Sequence, residues 1–293
     1  MVRARPQGKF MLSTDLDDTL VGDRAALARF NEVWLSQLEP RGCRLVYNTG
    51  RSLDDYMLLH KEWVLLVPDV FIGGCGTQIY TFDDYGRPIA DAGWLERLEK
   101  GWNKTTVMDA AENTTWLSER YGAITQKRES AKNPFMYSCK VLKNDDSMTV
   151  EDIIRDFKAA MRDHGLSVQV GAASVSYSVE STVQGDVQPG QSYLYVDVLP
   201  VAAGKGNAQA YVQRLLGFAE ESTVVSGDSG NDVPMFTAGA ERGILVGNAK
   251  QELVAAKKSH HIRARRNHAG GLLEGLERLC LVDAKAEETL QRQ

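Results

Sequence analysis

The sequence predicts an α/β protein, a Rossmann-like doubly wound parallel sheet with an α+β cap domain inserted into it. Three observations lead there. Short apolar runs alternate with amphipathic segments in the first and last thirds of the chain, the pattern of a parallel sheet covered on both faces. The middle third changes to β-rich segments of period 2 around one amphipathic helix. Several strand ends in the outer thirds carry carboxylates and glycines, where parallel sheets place their functional groups.

The elements follow in order. KFMLSTD, residues 9–15, reads as the first strand. In residues 24–39, Leu27, Phe30, Val33 or Trp34, and Leu38 recur at helical spacing. Residues 43–50 form a strand ending in a glycine turn. Residues 52–63 form a helix with Ser52 as N-cap and Asp54 and Asp55 in its first turn. Residues 69–80 read as strand, glycine loop, strand. In the middle, 133–143 alternates like a half-exposed strand. Residues 149–165 make an amphipathic helix with a Thr149 cap and a Gly165 stop. Residues 166–180 and 192–200 are strands, and 181–191 is a hairpin or loop. The last third adds a helix at 204–218, a strand at 222–228, a short helix at 231–239, a strand at 242–248, and helices at 250–258 and 270–282. The polar tail 283–293 is expected to fray. The boundaries expected are a core from 1–93 and 201–293 and a cap from 94–200.

Composition narrows the function. The chain has 293 residues and a net charge of −5, which argues against a nucleic-acid binder, since backbone phosphates demand a basic surface. No apolar run approaches the roughly 20 residues that span a bilayer, and MVRARPQGKF is too short before the first strand to hold a signal peptide. Cys43, Cys75, Cys139 and Cys280 have no paired short spacing. They fit reduced thiols of a cytoplasmic protein better than a disulfide frame or a zinc site.

Four polar strand ends or loops carry candidate chemistry. STDLDDTL (13–20) places Asp15 and Asp17 two apart, a spacing that on a strand points both the same way. Converging carboxylates call for a cation or a shared proton, and Mg²⁺ is a natural partner. NTGRS (48–52) offers the Thr49 hydroxyl and the Gly50 and Arg51 N–H groups at a helix start, a small anion cradle. AGKGNA (203–208) sets Lys205 between glycines, able to approach a phosphate or a carboxylate. SGDSGND (226–232) supplies Asp228 and Asp232 in a tight turn.

Taken together, strand–D-x-D-x-T, strand–T-G-R-S, G-K-G and strand–G-D-x-x-N-D resemble the motifs of the haloacid dehalogenase superfamily of phosphatases. The module between the second and third motifs resembles that superfamily's large α/β cap. DLDDTLVGD, LARFNEVW, HKEWVLLVPD, GCGTQIY, VDVLPVAAGKGNAQAYV, GDSGNDVPMF and the GNAKQELV and HAGGLLEGL segments extend the resemblance to the sucrose-6-phosphate phosphatases of plants and cyanobacteria. Plant members carry a further C-terminal domain, and the chain resembles the shorter form.

The resemblance implies a Mg²⁺-dependent phosphatase acting on a small sugar phosphate. Asp15 would be the nucleophile and Asp17 the general acid and base. Thr49, the N–H groups of Gly50, Arg51 and Ser52, and Lys205 would hold the transferring oxygens. Asp232 would orient Lys205, and Asn231 would contact phosphate or a metal ligand. The metal would sit on the Asp15 and Asp228 carboxylates and the Asp17 carbonyl. Thr19 reads as a turn hydroxyl and Asp18 as exposed. His268 and Cys75 have no partner spacing for a catalytic dyad, and the five tryptophans read as packing.

The resemblance is thinnest in the cap. Met136 stands where the family's cap strand carries a lysine. Either Lys140, four residues on and on the same face by alternation with Ser138, takes over that contact, or the contact is lost. Asp197 fits an acidic position that could accept sugar hydroxyls. Tyr137, Ser138 and Lys140 could equally belong to a plain solvent-facing strand, and 170–197 is longer than the family's loop. Alternatives of the same class are phosphatases of glucosylglycerol phosphate, mannosyl-phosphoglycerate or a hexose phosphate. A non-enzymatic alternative is a scaffold for sucrose-phosphate synthase, which is also a candidate partner of an active enzyme.

Overall fold

The computed structural model describes residues 8–122, 124, 126, 128–142, 149–176 and 192–283. The chain divides into two compact units, Met1–Asp91 with Lys205–Gln293, and Ala92–Gly204. The expected loop at 181–191 and nearly all of the expected tail lie outside the described residues.

The first unit is built on an eight-stranded sheet. In chain order its strands are β1 (Met11–Thr14), β2 (Arg44–Asn48), β3 (Val70–Gly73), β4 (Gln78–Phe82) and β5 (Pro88–Ala90). Those of the C-terminal part are β9 (Thr223–Gly227), β10 (Arg242–Leu245) and β11 (Ile262–Arg263). The spatial order is β11-β10-β9-β1-β2-β3-β4-β5. Pairing is parallel from β11 to β3 and antiparallel for β4 and β5. A parallel neighbour needs a crossover, whereas GGCGT allows only a tight return, so the second half of the 69–80 segment turns back as a hairpin. The short strands β5 and β11 were not legible, because neither carries an apolar period.

Side-chain alternation shows that both faces are covered. Val224 and Ile244 enter one core with Leu27, Phe30 and Leu272. Their chain neighbours Val225 and Leu245 enter a second core with Met235, Phe236 and Leu253. The helices doing this are α1 (Arg24–Val33), α2 (Leu53–Trp63), α8 (Lys205–Leu216), α9 (Val233–Thr237), α10 (Gln251–Ala255) and α11 (His268–Arg278). Asp23 starts α1 by accepting from the Ala25 and Ala26 N–H groups at 2.9 and 3.0 Å. That helix runs on as a π-turn, Trp34–Leu38, which keeps Trp34 and Leu38 buried beyond the end of the regular period.

The second unit carries helices between Ala92 and Ala131 that the sequence reading did not assign: α3 (Ala92–Glu99), α4 (Lys104–Glu112), α5 (Thr115–Tyr121) and α6 (Arg128–Ala131). They are followed by β6 (Tyr137–Leu142), α7 (Val150–Asp163), β7 (Val168–Ser176) and β8 (Ser192–Pro200). The sheet is antiparallel in the order β6-β8-β7, the β-α-β-β module the sequence implied. Tyr137, Cys139, Val141, Leu194, Val196 and Val198 form its core with α4, α5 and α7. Tyr137 therefore points inward, its hydroxyl donating to Glu112 Oε1 at 3.1 Å, and does not share a solvent face with Ser138 and Lys140. Period 2 forbids neighbours from sharing a face.

Helix α7 opens on a capping box, Thr149 Oγ1 accepting from the Asp152 N–H at 3.1 Å and Asp152 Oδ2 from the Thr149 N–H at 3.2 Å. Thr149→Ala should destabilise the second unit by about 1 kcal/mol, seen as an earlier urea transition with unchanged slope. An unchanged midpoint would show that the box contributes nothing to stability.

Candidate active site

Strand β1 is short. It ends at Thr14, and the Leu16 carbonyl then accepts from the N–H groups of Thr19, Leu20 and Val21 at 3.2, 2.9 and 2.8 Å. The chain has left the strand before Asp17, so period 2 no longer governs and the two carboxylates separate. Asp15 is buried, whereas the Asp17 side chain is about half exposed, at 48%. They do not share one cation or one proton. Asp15 Oδ1 accepts from Lys205 Nζ at 2.8 Å, and both Asp17 oxygens accept from Arg51, Nε and Nη2, at 2.7 Å each.

Lys205 is the centre of the buried set. Its ammonium, on a side chain 1% exposed, also donates to Asp232 Oδ1 at 2.6 Å and to Asn231 Oδ1 at 3.4 Å. Asp232 Oδ2 takes the N–H groups of Asp228 and Ser229 at 3.0 and 3.1 Å. Two glycines make this possible. A Cβ on Gly227 would lie 2.6 Å from Asp232 Oδ2, and one on Gly206 would lie 2.7 Å from the Pro234 carbonyl oxygen, both closer than packed atoms tolerate. The Lys205 carbonyl accepts from Asn48 Nδ2 at 3.0 Å, which ties the helix start to the end of β2.

Burial alone would lower the Lys205 pKa, but the Asp15 and Asp232 carboxylates outweigh it and raise it, so the ammonium stays charged. Burial pushes Asp15 up to about 7 against the pull of Lys205, with Asp232 and Asp228 adding repulsion. Burial and Asp232 push Asp228 up to about 6. Asp228 Oδ1 accepts from the buried Thr19 hydroxyl at 3.1 Å, and the exposed Lys250 ammonium stands 4.0 Å from Oδ2. Three carboxylates that could share a cation, Asp15, Asp228 and Asp232, thus face one buried ammonium. Asp232 already has both oxygens bonded, and Asp15 Oδ2 has no hydrogen-bond partner among the described residues. Hard oxygen donors with surplus negative charge fit a divalent cation held by Asp15 and Asp228.

An open cavity of about 370 Å³ lies over this cluster, lined by Asp15, Asp17, Thr49, Gly50, Arg51, Asp228 and Asn231 among others. Thr49 is buried, and its Oγ1 accepts from the Arg51 N–H at 3.2 Å. The sequence offers that N–H to an anion, but in the structure the Thr49 hydroxyl takes it. Ser52 is the N-cap of α2, its Oγ accepting from the Asp55 N–H at 3.2 Å and lying 2.6 Å from Asp55 Oδ2. The Ser52 side chain thus caps the helix as the sequence reading expected. Asp18 is exposed as expected, but Thr19 does more than close a turn, since it bonds Asp228. Lys250, which also lines the cavity, was missed. Its only signal was its place just beyond the strand end at Leu245.

Lys140 and Asp197 belong to the second unit. Asp197 Oδ1 accepts from Ser138 Oγ at 2.5 Å, and Lys140 stands opposite Tyr195 in the β6–β8 register. A larger cavity of about 590 Å³ in that unit, lined by Ile154, Arg155, Lys158 and Arg162 among others, holds no converging carboxylates.

Asp228 supplies a stability test. Its folded pKa is raised from 3.8 to about 6. Stability linked to the protonated form is therefore complete below about pH 4 and is lost as pH rises through about 6. At about 1.4 kcal/mol per unit, ionised Asp228 costs the metal-free fold on the order of 2–3 kcal/mol. In excess chelator, Asp228→Asn should raise Tm by several degrees at pH 8 and leave it unchanged at pH 4. Equal Tm values at pH 8 would refute this burden.

The sequence-family model for sucrose-6F-phosphate phosphohydrolase matches residues 8–279. The chain is 31% identical over 268 residues to the mannosylfructose-phosphate phosphatase of Agrobacterium fabrum, covering 91% of this chain and 95% of that protein. It is 29% identical over 290 residues to the probable sucrose-phosphatase 2 of Arabidopsis thaliana, covering 94% of this chain but spanning only 61% of the plant protein. Among solved structures, the sucrose-phosphatase of Synechocystis in complex with sucrose and phosphate superposes with a TM-score of 0.72 at 29% identity, covering 93% of this chain and 98% of that one. A haloacid dehalogenase-like hydrolase of Bacillus subtilis shares the fold, with a TM-score of 0.66 at 18% identity and coverage of 96% and 95%.

Proposed function

The chain belongs to the sucrose-6F-phosphate phosphohydrolase family, and from that premise we propose that it hydrolyses sucrose 6-phosphate to sucrose and phosphate through an aspartyl-phosphate. The observation that carries this reading is Asp15: a buried carboxylate with one oxygen held by Lys205, the other unbonded among the described residues, on the wall of the cavity.

In the first step Asp15 Oδ2 attacks phosphorus. The bond from phosphorus to the sugar oxygen breaks, and Asp17 gives its proton to the departing oxygen. In the second step Asp17 takes a proton from water, whose oxygen attacks the same phosphorus and releases phosphate and the Asp15 carboxylate. Both Asp17 oxygens are bonded to Arg51 in the structure, so serving as the acid requires giving up one of those bonds. Thr49, the Gly50 N–H and Lys205 would hold the transferring oxygens, with Asn231 contacting them, Lys205 giving up its long bond to Asn231 Oδ1 to do so. Asp232 keeps Lys205 charged and in place. Mg²⁺ would be held by the Asp15 and Asp228 carboxylates and the Asp17 carbonyl, and would supply charge compensation for the phosphoryl group. All four cysteines are free thiols, as suits a cytoplasmic protein; no described helix is long and apolar enough to cross a membrane.

The match to the Agrobacterium protein favours a second reading, in which the substrate is the phosphate of mannosylfructose. Both names describe a fructose-containing disaccharide phosphate, so the readings differ only in the second sugar. A panel of sucrose 6-phosphate, mannosylfructose phosphate, glucosylglycerol phosphate, mannosyl-phosphoglycerate and hexose phosphates decides between them by kcat/KM. Sucrose 6-phosphate should lead, with turnover lost in excess chelator. Acid quench during turnover should trap a base-labile phosphate on the Asp15 peptide, and ¹⁸O from water should enter the released phosphate only; an Asp15 peptide that never carries phosphate would exclude the covalent route.

Sugar choice is assigned to the second unit, because the groups around Asp15 address only the phosphoryl end. Lys140→Ala and Asp197→Ala should each raise KM for sucrose 6-phosphate roughly tenfold, the scale of one charge-assisted hydrogen bond. Hydrolysis of p-nitrophenyl phosphate should change much less. Parallel losses on both substrates would reassign these residues to folding.

A further inference from the structure

Two side chains that have no part in the scheme above meet on one atom of the turn that follows Asp15. Asn248 Nδ2 donates to the Asp18 carbonyl oxygen at 2.6 Å, and His268 Nδ1 lies 3.1 Å from the same oxygen. A carbonyl oxygen can only accept, so the Nδ1 of His268 carries a proton. The two residues are also joined to each other, the His268 N–H donating to Asn248 Oδ1 at 3.0 Å. Asn248 follows β10 and His268 opens α11, so two separate C-terminal segments converge on one N-terminal carbonyl.

The backbone is bent to bring them there. Asp18 has φ 56° and His268 φ 49°, left-handed values that are strained for a residue with a Cβ. Gly22 lies in the same turn, where a Cβ would come within 2.5 Å of the His268 ring. Strain at two residues and a forced glycine at a third surround a carbonyl one residue from Asp17. Such strain persists where the surroundings over-determine it, and it clusters at functional sites. Neighbouring parts of the turn have their own anchors. The Asp15 N–H donates to the Ser226 carbonyl at 3.0 Å, Lys205 holds the Asp15 carboxylate, and Thr19 bonds Asp228. In the Asp17–Asp18 segment Arg51 holds the Asp17 carboxylate, and the clamp holds the Asp18 carbonyl.

We propose that Asn248 and His268 are positioning residues for Asp17, clamping the Asp18 carbonyl so that the Asp17 carboxyl is aimed at the departing sugar oxygen. This rests on the phosphatase reading above. The nucleophilic step, anchored at Asp15, is independent of the clamp, whereas proton delivery depends on it.

The test uses leaving groups of opposite need, with the full chain in Mg²⁺. Sucrose 6-phosphate expels a poor alkoxide that requires a proton, and 2,4-dinitrophenyl phosphate expels a phenolate that requires none. In His268→Ala, kcat for sucrose 6-phosphate should fall roughly 10- to 100-fold, part of the contribution of a positioned acid, with KM within about threefold. The kcat/KM for 2,4-dinitrophenyl phosphate, which reports the transfer to Asp15 and not the later water step that also uses Asp17, should stay within about twofold. Asn248→Ser should show the same split, and it serves if His268→Ala does not fold. Equal losses of kcat/KM on both esters would overturn the proposal and make the clamp structural, as would no loss on either. Wild-type protein that cleaves the dinitrophenyl ester but not sucrose 6-phosphate would count against the substrate reading alone, and the split is then read on glucose 6-phosphate. Wild-type protein inactive on all three would overturn both.

Discussion

The first unit depends on one buried ammonium. Lys205 sits between Asp15 and Asp232 at 2.8 and 2.6 Å with almost no access to water. Desolvating these charges is costly, and only close pairing makes it tolerable. Close pairing demands that the start of α8, the end of β1 and the loop after β9 meet at fixed distances. The glycines that let backbone approach backbone, the Asn48 amide on the Lys205 carbonyl, and the two N–H groups on Asp232 all serve that meeting. The parallel order of β9, β1 and β2 is what brings three distant motifs to one sheet edge.

Pairing does not neutralise the cluster. Three carboxylates against one buried ammonium leave negative charge in excess, and burial, with this repulsion added to it, raises the pKa values of Asp15 and Asp228. A protein built only for stability would replace one of these acids with an amide. Keeping Asp15 and Asp228 stores an electrostatic cost that a divalent cation would relieve, and it leaves Asp15 with an oxygen that has no hydrogen-bond partner among the described residues. Asp17 escapes this cost because it lies at the surface with its own partner in Arg51. The two acids of one short motif therefore sit in different environments, which suits two different roles.

The second unit has a core of its own. Its sheet buries Tyr137, Cys139, Val196 and Val198 against α4, α5 and α7, and its alternate positions carry Ser138, Lys140, Tyr195 and Asp197. Such a face can vary its polar residues without disturbing the packing behind it.

The sequence by itself determined the class of sheet, the inserted β-α-β-β module, the main strands and helices of the outer thirds, and the residues of the buried cluster. Those features are written in local periods, in caps such as Ser52 and Thr149, and in short motifs whose residue types admit few chemistries. It did not determine who pairs with whom. Period 2 suggested that Asp15 and Asp17 converge, but β1 ends at Thr14, and Arg51, 34 residues on, takes Asp17 while Lys205, 190 residues on, takes Asp15. The helices between Ala92 and Ala131, the strands β5 and β11, the bond from Thr19 to Asp228 and the clamp of Asn248 and His268 on Asp18 were likewise decided by tertiary structure. Local pattern reports which face of an element is apolar. Only the folded chain sets the distances across which charges and hydrogen bonds choose their partners.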